Sequence, residues 1–231
     1  MPELIDYAVV GPLTDLRSID PALLARIPAE PVEVCRPVAS LVIKPGDAAT
    51  VGVPAARIEE RQLRPAADLV GALLTLDRGP LDVPRPPGSR VVGTCRHFAV
   101  LSCALLRYRG IAARVRCGFA TYFQPGLGLD HWITEYWHDP DARWVRLDSE
   151  ILSQQVLAHP DDLRAGEFLT GGEAWAAFRI GQIDAAQFGV YGTGNFGPAE
   201  IRGNAVRDLA ALNKAEMLPW DEWGRMTAEA G

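Results

Sequence analysis

Between Thr94 and Asp148 the hydrophobic period changes once, from helical to extended, and that change limits the possible folds more than any other feature of the chain. Thr94 is a good helix N-cap, Phe98, Leu101, Leu105 and Leu106 form an apolar stripe at helical spacing, and Gly110 is a stop signal. A helix is therefore predicted from 95 to about 109. Ile111, Ala113, Val115, Cys117 and Phe119 then alternate with Ala112, Arg114, Arg116 and Gly118, which predicts a strand with one core face and one solvated face. HWITEYWH (131–138) and RWVRLD (143–148) are rich in aromatic and β-branched residues and flank the turn-like DPDA, so they predict an antiparallel hairpin. Together these segments give an α+β arrangement, a helix packed on an antiparallel sheet.

Outside this block the pattern is weaker. Residues 1–55 are Pro-rich, with a short helical candidate in DPALLARI and one or two strands expected in EVCRPVASLVIKPG. Residues 56–77 read as a helix broken at Pro65, and 79–90 as a loop. GEAWAAFRI and EIRGNAVRDLAALNKAE are helical candidates separated by the Gly-rich FGVYGTGNFGP, and Trp220 and Trp223 are expected to clasp the C-terminus. With 231 residues and 48% hydrophobic content, a single unit is expected: an N-terminal helical and loop part (1–89), a core (90–150) and a mainly helical C-terminal part (151–231). The net charge of −6 argues against nucleic-acid binding. A basic start followed by an apolar run is missing, as is any stretch of 18 apolar residues, so a cytoplasmic protein without membrane association is expected. Four cysteines at irregular spacing suit free thiols rather than a zinc site or a disulfide framework, and no metal or cofactor is expected.

The chemistry concentrates in three residues. Cys95 falls in the first turn of the predicted helix, where unpaired N–H groups and the helix dipole favour a thiolate. A thiol nucleophile needs an imidazole to take its proton and a carboxylate to orient that imidazole. If the hairpin turns between Asp139 and Pro140, His131 and Asp148 oppose each other on one face. A register slipped by two makes them diagonal neighbours and lets Glu150 compete as the orienting acid; a slip of one separates them. His97 points away from Cys95 on the helix, His138 is on the other side of its strand, and His159 precedes a proline in a loop. Cys103 and Cys117 read as packing residues, as do Trp132, Trp137 and Trp144. The Cys95 N–H is a natural oxyanion donor. GTGNFG (192–197) has dinucleotide-loop spacing, but Pro198 follows and no βαβ unit surrounds it, so it reads as a loop beside the site.

The ordered blocks GTC, LLRxxGIxAR, DHWxxEYW and WVxLD, over about residues 90–150, resemble the transglutaminase-like superfamily of papain-fold cysteine enzymes. The resemblance implies Cys95 as nucleophile, His131 as base and Asp148 as orienting acid. It also implies a thioester intermediate and a peptide or small amide or acyl substrate. Hydrolysis is the expected outcome, with acyl transfer to an amine, or a non-catalytic binding protein on the same fold, as alternatives.

Overall fold

The computed structural model describes residues 5–223 and Met226. The N-terminal part contains α1 (Pro21–Leu24), α2 (Pro31–Cys35), β1 (Val42–Ile43), α3 (Pro45–Thr50), α4 (Ala66–Leu76) and β2 (Val91–Val92). Helices α1, α2 and α3 each begin at a proline, whose fixed φ suits the first turn and whose missing N–H would have had no partner there. The strands expected in EVCRPVASLVIKPG shrink to the two residues of β1, because Val34, Val38 and Leu41 also satisfy helical spacing and are buried on that side. Glu30 caps α2 by accepting the Glu33 N–H, which tips the balance towards the helix. The predicted break at Pro65 is present, with a 3-10 segment (Ala55–Gln62) before α4.

Helix α5 (Cys95–Tyr108) is followed by β3 (Ala113–Ala120), β4 (Gly128–His138), β5 (Arg143–Leu147), β6 (Phe168–Thr170), α6 (Gly171–Arg179), β7 (Phe188–Gly189) and α7 (Pro198–Leu212). The main sheet runs β5-β4-β3-β6, all antiparallel, with β7 parallel to the start of β4. Helix α5 ends as predicted, at Gly110 with φ of 75°. It has no solvated face, however: every residue from Arg96 to Arg107 is buried. Arg96 Nε donates to the Glu216 carbonyl and Arg107 Nη1 to Thr14 Oγ1, so the helix's own polar residues fasten segments from both ends of the chain onto it.

Ala113, Val115 and Cys117 of β3, Trp132 and Tyr136 of β4, and Val145 and Leu147 of β5 form the sheet face packed on α5. The expectation that the other face of β3 is solvated is wrong. Arg116 is 8% exposed, and its guanidinium donates to both oxygens of Asp208 on α7 and to Glu135 on β4, each at 2.8 Å. Arg114 and Arg146 also bond Glu135, and Arg146 continues to Glu173 on α6. Burial works against the Glu135 charge, but Arg116 and Arg114 outweigh it and hold the carboxyl below its usual range. Trp220 and Trp223, expected to clasp the C-terminus, are both substantially exposed, and Trp220 donates its indole N–H to Gln62 of the 3-10 segment; the last residues of the chain lie outside those described. Among the described residues no helix is long and apolar enough to cross a membrane.

Gly118 sets the spacing of β3 and β6, because a Cβ there would stand 2.0 Å from the Leu169 carbonyl oxygen. Gly118→Ala is expected to cost about 3 kcal/mol in urea unfolding, since the strands must part. At Gly172 an added Cβ meets nothing nearer than 3.9 Å, so Gly172→Ala should cost less than about 1 kcal/mol. Equal losses at both positions would contradict the close approach.

Candidate active site

Cys95 is the first residue of α5, and it is held there by the local sequence. The Thr94 N–H donates to His97 Nδ1 at 3.0 Å, an N-terminal lock that turns the His97 ring back along the helix. His97 is fully buried, and burial, with Arg96 beside it, lowers its pKa to about 3, so it stays a neutral acceptor. Cys95 is a partly exposed residue, whereas Cys35, Cys103 and Cys117 are buried packing residues, and burial pushes the Cys103 thiol up to about 12.

The β4–β5 register differs by two from the one assumed. Thr134 pairs with Leu147 and His138 with Arg143, so the turn is centred one residue later, between Pro140 and Asp141. His131 and Asp148 are therefore diagonal, and Glu150 occupies the directly opposed place in the count. Yet it is Asp148 that reaches His131, with Nε2 and Oδ2 2.8 Å apart. The chain leaves the ladder after Leu147 and bends: the Asp148 N–H donates to the Pro160 carbonyl, and Asp148 Oδ1 accepts the Glu150 N–H at 3.0 Å. The bend turns the Asp148 carboxylate to the ring and sends Glu150 elsewhere, to Lys44 Nζ at 2.7 Å.

Tyr122 donates its hydroxyl to Asp148 Oδ2 at 2.6 Å, and Phe123 packs edge-on against the imidazole with ring centroids 4.9 Å apart. Nε2 is thus committed to Asp148, which leaves Nδ1 as the ring nitrogen for the neighbouring Cys95 thiol. Burial opposes the imidazolium, but Asp148 and Cys95 outweigh it and hold His131 well above its usual range. Burial also pushes the Cys95 thiol up, partly offset by His131. The ion pair formed when Sγ gives its proton to Nδ1 is favoured by Asp148 and opposed by desolvation. Asp148→Asn should accordingly shift the midpoint of the pH profile of Cys95 alkylation upward. With a less basic imidazole the thiolate must form by loss of a proton to solvent, at higher pH. An unshifted or downward-shifted midpoint would refute this coupling.

Cys95 and His131 open onto a cavity of about 580 Å³, large enough for a small substrate. Lys44, Pro45, Phe123, Leu129, Asp130, Glu150 and Tyr191 complete most of its wall. The sequence reading missed Lys44, Tyr122 and Phe123. Lys44 arrives because β1 pairs parallel with β2, Ile43 beside Val92, so the residue after β1 lies level with the approach to Cys95. The aromatic pair in ATYFQPG shortly before His131 was the available signal for Tyr122 and Phe123. Tyr191 comes from the Gly-rich loop, which was expected beside the site.

The sequence model of the transglutaminase-like superfamily matches residues 85–149, a segment holding Cys95, His131 and Asp148 and agreeing with the resemblance seen over about 90–150. No curated protein matches the chain. Among solved structures it is similar to the crystal structure of a "putative cysteine protease" from Cytophaga hutchinsonii, at 14% identity and a TM-score of 0.43. That similarity covers 71% of this chain and 44% of the other, so this chain spans less than half of that protein's length.

Proposed function

We propose that this protein is a transglutaminase-like cysteine enzyme that breaks a peptide or small amide bond through a thioester on Cys95. The observation that carries the proposal is the pairing of His131 Nε2 with Asp148 Oδ2 at 2.8 Å beside a cysteine at a helix N-terminus, with Cys95 and His131 lining one cavity. In the reaction, His131 Nδ1 takes the Sγ proton as sulfur attacks the carbonyl carbon, and the Cys95 N–H at the helix start donates to the developing oxyanion. The C–N bond then breaks, and the amine leaves with the proton held by His131. Water, giving its proton to His131, attacks the thioester; the C–S bond breaks, releasing the acid and regenerating the thiol. An amine in place of water would turn the same thioester to acyl transfer.

Iodoacetamide at pH 6, read by peptide mapping of the folded protein, tests the premise. Cys95 is expected to be labelled about a hundredfold or more faster than Cys35, Cys103 or Cys117. Equally slow labelling of all four would remove the chemical basis for a thioester and favour a binding protein on the same fold.

A further inference from the structure

Glu150 is a buried carboxylate beside the thiol for which the proposed reaction has no use. Its side chain is 4% exposed; Oε1 accepts from Lys44 Nζ, and Oε2 is buried without a hydrogen-bond partner. A buried acceptor left unmatched costs about 1–3 kcal/mol, which makes it a natural receptor for an incoming donor. Glu150 belongs to the wall of the cavity that holds Cys95 and His131. Half-buried Asp130 belongs to the same wall, with Oδ1 accepting from Asn204 Nδ2 at 2.8 Å and Arg207 as its charged neighbour.

The occupant's charge follows from what the wall already satisfies. Lys44 is the cation of the cavity mouth; it is 45% exposed and already paired with Oε1. Its charge is already matched by the Glu150 carboxylate. Both Asp130 and Glu150 are close enough to Cys95 to act against its thiolate, so the carboxylates lie near the reacting sulfur. Among the described residues no group of three His, Cys, Asp or Glu side chains converges on a metal position, which leaves a proton-bearing donor as the partner for Oε2. Leu129, Phe123 and Pro45 offer the apolar surface that a short alkyl chain would cover.

We propose that Glu150 Oε2 receives a primary ammonium group of the substrate, so that the cavity selects molecules bearing a free amine close to the carbonyl attacked by Cys95. Attack by Cys95 rests on the proposed function; ammonium binding does not. The test uses n-butylammonium and butyrate as probes, titrated by ligand-observed NMR into Cys95→Ala, where no covalent chemistry occurs. Butylammonium is expected to bind at least about tenfold more tightly than butyrate, and Glu150→Gln in the same background to lose at least about tenfold. Lys44→Met, which frees Oε1 as well, should retain or tighten butylammonium binding and serves if Glu150→Gln does not fold. Tighter binding of butyrate, equal binding of the two probes, or butylammonium binding that survives loss of the Glu150 charge would each overturn the proposal. Iodoacetamide labelling of the wild type reads the thiol separately. Butylammonium binding with an unreactive Cys95 sinks the thioester reading alone, and a reactive Cys95 without butylammonium binding sinks the ammonium subsite alone.

Discussion

Replacing His131 by Ala is expected to slow iodoacetamide alkylation of Cys95 at pH 7 by about two orders of magnitude. Burial raises the proton affinity of this thiol, and the imidazole is the group that opposes it most strongly. Without that ring the thiolate must form unaided, and a thiol at or above the ordinary value of about 8.5 is only a few per cent ionised or less at pH 7. His97 cannot substitute, since it is buried, is held by the Thr94 N–H and has a pKa lowered to about 3. The variant should also show a distinctive pH dependence. Its rate should climb close to tenfold per unit from pH 7 to 8, whereas the wild-type rate should change much less. A variant that alkylates as fast as the wild type, with the same profile, would separate Cys95 from His131 and end the thioester reading.

The second large effect concerns stability. Arg116→Met is expected to cost about 3–5 kcal/mol, because the change breaks a buried ionic contact from one side only. Asp208, 3% exposed, would keep just the Cys117 N–H at 3.2 Å, while Glu135 would retain Arg114 and Arg146. Most of the loss should therefore trace to Asp208, and the double variant Arg116→Met, Asp208→Asn should recover about half of it. Urea unfolding of the two single variants and the pair supplies the coupling energy. A loss under about 1 kcal/mol for Arg116→Met would mean that this ionic contact does little to hold α7 to the sheet.

Much of this site was legible because its residues stand in regular elements with strong local signals. Thr94 and Gly110 bracket α5, the aromatic strands mark the hairpin, and Cys95 and His131 stand in those elements, with Asp148 one residue past the end of β5. The register was misread because nothing in the sequence marks the true turn centre. Ala142 takes the left-handed conformation, φ 48°, without the glycine or asparagine that would announce it. Asp148 still reaches His131 because its carboxylate is steered by the Glu150 N–H and the Tyr122 hydroxyl, contacts made outside the strand pairing. The solvated face assigned to Arg114 and Arg116 failed for a different reason. Arginines alternating with apolar residues signal water unless their acids can be located, and Asp208 lies 92 residues from Arg116. Lys44 was invisible for the same reason of distance.

The β1–β2 pairing divides the chain's labour in a way that bears on how such proteins diversify. Two backbone hydrogen bonds, Val91 N–H to the Leu41 carbonyl and Gly93 N–H to the Ile43 carbonyl, carry Lys44 to the rim of the cavity. The segment that follows, from Pro45 through α3, is far in sequence from α5, β4 and the bend at Asp148. Part of the cavity wall is thus carried by a stretch far in sequence from Cys95, His131 and Asp148, and a graft confined to residues 44–50 would change that part of the wall while leaving all three residues in place.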